Sequence, residues 1–195
     1  MLSEKMVKSI NHQINREHYS AYLYLSMASY AAAEGLNGFA NWFIVQMKEE
    51  MFHADKMYSY VNQQGSRVLL EAIEQPLTEF SSMLDLFEKT LEHEKGVTAM
   101  INNLVKLARE EDDYATESFL QWYVTEQVEE EASPAEIIQK LKFIGKDGRG
   151  LLMIDKDLSA RVFTVPRQQN SKMLRESCQN INYIMRFKNG RVNRE

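Results

Sequence analysis

Residues 43–57, FIVQMKEEMFHADKM, combine an apolar stripe with ionisable side chains on the same face of one predicted helix. Four apolar residues of this stretch recur with helical spacing: Phe43, Met47, Ala54 and Met57. Glu50 and His53, three residues apart, interrupt that stripe between Met47 and Ala54. Burying a carboxylate costs free energy unless something compensates its charge. The pattern therefore predicts a long helix whose buried face carries ligands as well as core residues.

Three other stretches have the same helical periodicity, and together they predict an all-α fold. The four long helices are expected at about residues 4–34, 38–64, 80–108 and 114–144. A short fifth helix is expected at about 148–160. Ser3 is the expected N-cap of the first helix, and Gly35 is expected just past its end. The stripe of this helix is read through Ile10, Ile14, Ala21, Leu25 and Ala28.

The connections between these helices predict the topology of a four-helix bundle. The first two helices, and the last two, are joined by short turns and should form antiparallel hairpins. Residues 66–79, which include Pro76, connect the hairpins. Fully extended, this segment spans roughly 46 Å, about one bundle length, so a long crossover is expected. Pro134 lies inside the fourth helix and should kink it.

The composition agrees with a helical chain and excludes several other classes. Only 8 of the 195 residues are Gly and 3 are Pro, which disfavours β-rich, collagen-like and disordered proteins. Cys178 is the single cysteine, so no disulfide can form within one chain. Because the N-terminus has no apolar signal segment and the lone cysteine fits a reducing compartment, we expect a cytoplasmic protein without a membrane span.

The other three long helices also carry polar groups in the middle of their apolar stripes. Glu17 lies on the first helix, Glu94 on the third, and Gln127 with Glu130 on the fourth. One buried carboxylate could be salt-bridged, but no Lys or Arg shares these stripes. The compensating charge is therefore expected to be a metal ion. Carboxylate oxygens with one imidazole suit iron or manganese better than a structural zinc site.

Carboxylate-bridged di-iron bundles take a Glu from each of two helices and a Glu-x-x-His from each of the other two. The fourth helix departs from this pattern, because Gln127-Val128-Glu129-Glu130 replaces its Glu-x-x-His. Glu50 and Glu94 are expected to bridge two metals, with Glu17 and His53 completing one site and Glu130 the other. The second ion would then lack an imidazole and be held weakly, as suits iron that passes through as substrate.

Glu49, Glu126 and Glu129 lie next to these ligands in the sequence and, with Glu130, form a further acidic cluster. One interpretation is a solvated acidic face, in which charges four residues apart repel each other. The other is a third metal position on the way from the oxidation centre to a store. The sequence leaves both interpretations open.

Residues 119–127, FLQWYVTEQ, followed by Glu129-Glu130-Glu131, resemble the bacterial non-haem ferritins, and the resemblance extends over residues 1–163. It implies a ferritin-like di-iron domain that stores iron and oxidises Fe(II) with O2 or H2O2. The implied ferroxidase centre comprises Glu17, Glu50, His53, Glu94, Gln127 and Glu130. The implied third site comprises Glu49, Glu126, Glu129 and Glu130.

The same resemblance assigns Tyr24 to the edge of the centre, where it donates an electron or a hydrogen bond. It also implies a homo-oligomeric shell of 24 subunits, with the short fifth helix at the four-fold contacts. An ordinary core position is the alternative interpretation of Tyr24, and core packing is the expected role of Trp122.

Two alternative functions follow from single features of the sequence. In bacterioferritin, a methionine just after the second-helix glutamate holds haem, and Met51 has that position here. The missing fourth-helix histidine argues against that family, so haem is not expected. A DNA-protecting or partner-binding cage, directed by the basic C-terminal residues, is the other alternative, although the predicted fifth helix is C-terminal and we do not expect nucleic-acid binding.

The charge of the chain divides sharply near its C-terminus. The net charge is −5, but residues 166–195 hold seven Lys or Arg and two Glu, which leaves the first 165 residues at −10. Residues 164–195 are therefore predicted to be a basic extension to the domain. Apolar residues within 168–187 recur at helical spacing, which predicts an amphipathic helix there.

Overall fold

The computed structural model describes residues 1–165, and the predicted helix at 168–187 and most of the extension at 164–195 lie outside the described residues. Within the described part, the chain forms five α-helices and no strand. They are α1 (Glu4–Ala33), α2 (Asn37–Gln63), α3 (Met83–Glu110), α4 (Tyr114–Ile144) and α5 (Gly148–Leu158). The predicted fold class, a four-helix bundle with a short fifth helix, is confirmed.

Side-chain caps and glycines fix the ends of the helices. The Ser3 hydroxyl accepts a hydrogen bond from the Met6 N–H at 3.0 Å, as expected of an N-cap. Ser82 and Asp113 cap α3 and α4 in the same way. Gly35 and Gly65 end α1 and α2 with φ of 78° and 76°, a conformation that side chains disfavour.

Residues 64–82 form the crossover, and their contacts show its course along α1. Near the middle of the crossover, Asn15 donates a hydrogen bond to the carbonyl of Ala72 at 3.1 Å. Farther along α1, Ser26 donates to the carbonyl of Leu77 at 2.6 Å. The crossover therefore begins and ends at opposite ends of the bundle. The two hairpins, α1–α2 and α3–α4, are joined as predicted, and α2 runs parallel to α3.

Two apolar clusters fill the bundle, one towards each end. The first is rich in aromatic rings, with Trp42 packing 4.8 Å from Phe87 between ring centroids. The second is mainly aliphatic and contains Ile14 and Ile101. The assignment of Leu25 to the core is wrong, because its side chain is 43% exposed. The buried face of α1 passes instead through the neighbouring Tyr24.

The short helix α5 docks against the start of α2. Leu36 precedes α2 and supplies no side-chain cap. Asp155 of α5, remote in sequence, caps α2 instead. Its carboxylate accepts hydrogen bonds from the N–H groups of Gly38 at 2.7 Å and Phe39 at 3.0 Å. A Cβ atom at Gly38 would lie 1.6 Å from the Asp155 carbonyl oxygen, so only glycine permits this approach.

Two further features concern single helices. Helix α4 continues through Pro134 without ending there, and the kink expected at that residue remains a prediction. In the described part of the chain, no helix is both long enough and apolar enough to cross a membrane.

Candidate metal centre

The polar residues predicted from the four stripes meet in the interior, between the two apolar clusters. Glu17, Glu50 and Glu94 are each only 1% exposed, and Glu130 and His53 are also buried. The ligand atoms of these residues form overlapping groups of three, in which all atoms lie within 4.8 Å of one another. Side chains from four helices thus form the candidate centre, as the interrupted apolar stripes predicted.

The histidine group consists of Glu17, Glu50 and His53. Its imidazole Nδ1 lies 3.5 Å from Glu50 Oε2 and 3.9 Å from Glu17 Oε2. Gln13, one turn before Glu17, donates a hydrogen bond to Glu17 Oε1 at 2.8 Å. Glu17 Oε2 receives no such bond from the described residues. A buried carboxylate oxygen without a donor fits a site that a cation completes.

The carboxylate group consists of Glu50, Glu94 and Glu130, and each of the last two is held by protein donors. The Tyr24 hydroxyl donates to Glu94 Oε1. Gln127 Nε2 donates to Glu94 Oε2 at 3.3 Å. Gln46 Nε2 donates to Glu130 Oε2. Glu50 belongs to both groups, whereas Glu94, also expected to bridge, belongs to the carboxylate group alone.

Burial controls the protonation of these side chains in the absence of metal. It raises the pKa of Glu50 and Glu130 well above the ordinary value, and the neighbouring carboxyl groups raise it further. The pKa of Glu94 rises to about 7, also chiefly through burial. Protons therefore compensate part of the charge in the metal-free protein, and a metal ion must displace them.

His53 has the opposite shift, and it prepares the imidazole for coordination. Burial lowers the pKa of His53 to about 3, with a smaller contribution from the Lys56 ammonium. The ring is consequently neutral at physiological pH and its lone pair is available to a metal. Trp122 packs edge-on against it, with ring centroids 5.4 Å apart.

The predicted third cluster is brought together only in part. Glu126 joins His53 and Glu130 in a third group of ligand atoms within 4.8 Å, which we call the outer group. Glu49 is instead ion-paired with Arg161 at 2.5 Å. The side chain of Glu129 is exposed. Glu49 and Glu129 nevertheless lie close enough to raise the pKa of Glu126 beyond the effect of its burial.

Residues 7–144 match the family described as Ferritin, ferritin-like domain, which covers most of the chain. The chain belongs to the ferritin family. Curated relatives include a probable bacterial non-heme ferritin-like protein of Haemophilus influenzae, 48% identical over 81% of this chain and 96% of that protein. A bacterial non-heme ferritin of Staphylococcus epidermidis is 44% identical over 84% of this chain and 98% of its own length.

Solved ferritin structures agree with the fold as well as the sequence. An open pore ferritin from the hyperthermophilic archaeon Archaeoglobus fulgidus is 56% identical, with a TM-score of 0.83 over 83% of this chain and 100% of that chain. A closed form of the same organism's ferritin, engineered by site-directed mutagenesis, has 55% identity and a TM-score of 0.83, and is covered completely. The resemblance that the sequence suggested is confirmed.

Three residues of this ferritin's centre were not predicted from the sequence. Gln13 and Gln46 each lie four residues before a predicted ligand, Glu17 or Glu50, and this spacing is the signal that could have found them. Arg161 follows α5 and has no such signal, because it reaches the centre only through the docking of α5. Arg161 supplies a positive charge from outside the four stripes.

Met51, considered as a haem ligand, is partly exposed to solvent. Its side chain is 39% exposed, so it is not part of the subunit core. Both curated relatives cited here are named as non-heme ferritins or ferritin-like proteins. The ferritin family, together with the donor set of buried carboxylates and one imidazole, supports iron as the metal of this centre.

Proposed function

We propose that this protein stores iron and oxidises Fe(II) at the centre formed by the histidine and carboxylate groups. The observation that carries the proposal is the position of Glu50, whose buried carboxylate belongs to both groups. A carboxylate shared in this way can hold two cations close together, as paired electron transfer to one oxidant requires. Fe(II) is the substrate, and hydrated ferric oxide is the stored product.

The residues divide the work of the reaction by their chemistry. Glu17, Glu50 and His53 would hold one Fe(II), and Glu50, Glu94 and Glu130 the other. Each Fe(II) gives one electron to the co-substrate, O2 or H2O2. Hard carboxylate oxygens favour the ferric product over the ferrous substrate, which supports oxidation in this pocket.

Three residues would support the reaction without forming these two groups. Tyr24 and Gln127 donate hydrogen bonds to Glu94 and so fix its orientation. Glu126 of the outer group would accept an ion that leaves the centre, with Glu49 and Glu129 beside it. This arrangement supports the interpretation of the acidic cluster as a third metal position.

We infer a homo-oligomeric shell of 24 subunits in the cytoplasm as the setting of this activity. The crossover and α5 expose large apolar residues that a shell would cover. They are Leu69, Leu70, Ile73 and Leu77 of the crossover, and Leu152 and Met153 of α5. Sedimentation of the full chain would test the subunit number. Truncation after Val165 would test whether the predicted basic extension affects assembly or iron loading.

Stopped-flow Fe(II) oxidation would test the proposed centre directly. Glu50→Gln keeps the volume of the side chain but removes the shared charge, and we expect the rate to fall more than about 100-fold, beyond the cost of losing an outer partner. Glu110→Gln is the control, because Glu110 is an exposed carboxylate paired with Lys106. Rapid oxidation by the Glu50→Gln protein would contradict the proposal.

Haem binding is the second candidate function, and the exposure of Met51 is the observation in its favour. A Soret band in the purified protein that disappears in Met51→Leu would support it. Intact ferroxidase activity in a purified protein without that band would support the non-haem function and count against haem binding.

A further inference from the structure

Arg161 places a positive charge beside the centre from outside the four-helix bundle. Its guanidinium donates to Glu49 Oε2 at 2.5 Å and to Gln46 Oε1 at 2.8 Å. It also donates to the main-chain carbonyl of Trp42 at 3.3 Å and lies 4.6 Å above the indole ring. These three partners lie on one face of α2, so the guanidinium is fitted to a prepared surface.

The main chain near Arg161 is fixed by a separate contact. The Asn41 side-chain amide donates to the carbonyl oxygens of Leu158 at 3.1 Å and Arg161 at 2.9 Å. The side chain of Arg161 is one-quarter exposed, and that of Glu49 is similar. The pair is therefore partly desolvated and positioned by the fold, unlike a flexible surface ion pair.

Two residues of the centre are affected by this contact. Glu49 is a carboxylate of the proposed third position, and the guanidinium takes one of its two oxygens. Gln46 gives its Oε1 to Arg161 and its Nε2 to Glu130. Glu130 belongs to both the carboxylate group and the outer group. Arg161 is thus linked to a proposed ligand through one intervening side chain.

We propose that Arg161 is a resident cation that competes with iron for Glu49. The inference rests on the proposed function. It adds a free-energy cost to metal binding at the proposed third position. A divalent ion must displace the guanidinium before Glu49 can coordinate it fully. A trivalent ion attracts the same carboxylate more strongly at equal distance, so the ferric product overcomes this competition more readily than the ferrous substrate.

Calorimetric titration of the assembled, metal-free full chain with Zn2+ would test this role without oxidation. Arg161→Gln removes the competing charge, and we expect the third Zn2+ to bind about 10-fold more tightly, while the Kd values of the first two change less than 3-fold. Arg161→Lys keeps the charge but not the fork of donors, so its third Kd should lie between the two. Arg109→Gln, which breaks a remote pair with Glu117, should match wild type.

The outcomes separate this inference from the function on which it rests. Failure of the wild-type protein to bind two Zn2+ ions at the centre would count against the proposed function. Two bound ions, with a third that binds Arg161→Gln no more tightly than wild type, would overturn the role of Arg161 alone. Arg161→Lys provides a second test if Arg161→Gln does not fold. Weaker binding of the third ion by Arg161→Lys than by wild type would also overturn the proposed role of Arg161.

Discussion

The histidine group and the carboxylate group share Glu50 but differ in how their other ligands are held. In the histidine group, Glu17 Oε2 has no hydrogen-bond donor among residues 1–165, and His53 is neutral and adjacent. In the carboxylate group, no imidazole is present, and Tyr24, Gln127 and Gln46 already donate to its oxygens. A neutral imidazole coordinates a metal without first losing a proton, so the first ion should bind at the histidine group.

The same difference shows why a shared ligand can serve a substrate rather than a permanent cofactor. The carboxylate group lacks an imidazole, and burial raises the pKa of Glu94 and Glu130, so that a metal must displace protons there. We therefore expect an ion at the carboxylate group to be held less firmly and to leave after oxidation. The sequence predicted weaker binding here from the missing fourth-helix histidine, and the raised pKa of Glu94 and Glu130 adds a second physical reason.

Removing one ligand from each group should have the largest effect and separate the two ions. Glu17→Ala should abolish the tighter of two Zn2+ binding events, and Glu94→Ala the weaker, because each residue belongs to one group only. Both should slow Fe(II) oxidation more than about 100-fold, since each leaves one ion of the pair unsupported. Titration calorimetry and stopped-flow absorbance would measure these losses.

The assignment depends on which event disappears. If Glu94→Ala removed the tighter event and Glu17→Ala the weaker, the order of affinity proposed for the two groups would be reversed. Glu136→Gln, at an exposed carboxylate paired with Lys140, should behave as wild type in both measurements.

The stability of the metal-free protein should depend on pH through the carboxylate group. The pKa of Glu94 is about 7 when folded, against an ordinary value of 4.5. A raised folded pKa stabilises the protein below the unfolded pKa, and that contribution is lost as pH rises through 7. Wild type should therefore lose about 2–3 kcal/mol between pH 5 and 7.5 relative to Glu94→Gln, which cannot ionise.

Guanidinium unfolding followed by circular dichroism would measure this difference. His53 acts oppositely, because its folded pKa of about 3 makes stability fall as pH decreases below 6.5. The comparison with Glu94→Gln cancels that contribution, which both proteins share. Parallel pH curves for the two proteins would show that Glu94 carries no such shift. Zn2+ should flatten the wild-type curve, since the bound ion replaces the displaced proton.

Much of the fold could be predicted because local signals agreed with long-range ones. Ser3, Gly35 and the spacing of apolar residues indicated where α1 begins and ends. The length of the crossover indicated that α2 and α3, the two helices it joins, run parallel. Leu25 was misassigned because an apolar stripe shifts gradually around a long helix. Either of two adjacent residues can then take the buried position, and here Tyr24 takes it.

Residues of the centre could be predicted where a charged side chain interrupts an apolar stripe, as Glu50 does. It was less predictable where the partner comes from another part of the chain. Arg161 is distant in sequence from Glu49 and reaches it only because Asp155 docks α5 on α2. No periodicity within one helix records such a contact. The ligand roles of all the residues named in these groups stay predictions until metal is seen bound.

Replacing the supporting glutamines should have intermediate effects that fall on different ions. Gln13→Leu removes a donor to Glu17, so it should weaken the tighter Zn2+ event about 10-fold or more. Gln46→Leu removes the donor to Glu130 and should weaken the other event by a similar factor. Calorimetry on both proteins would show whether each glutamine affects the binding of one ion only. Equal effects of each variant on both ions would contradict that separation.

The smallest effect is expected for Tyr24→Phe, which removes only the hydroxyl that donates to Glu94. This hydrogen bond lowers the pKa of Glu94 against the larger effect of burial, so its loss should raise that pKa. A metal must then displace a more firmly held proton, and the weaker Zn2+ event should lose about 2- to 10-fold in affinity, as for one neutral hydrogen bond.

The pH dependence of this loss distinguishes a hydrogen-bonding role from simple packing. The loss should be larger at pH 6.5, where Glu94 is mostly protonated, than at pH 8, where little proton remains to be displaced. The tighter event should not change, because Tyr24 makes its hydrogen bond within the carboxylate group. A loss that is the same at both pH values, or that falls on the tighter event, would mean that Tyr24 acts through packing of the core and not through the protonation of Glu94.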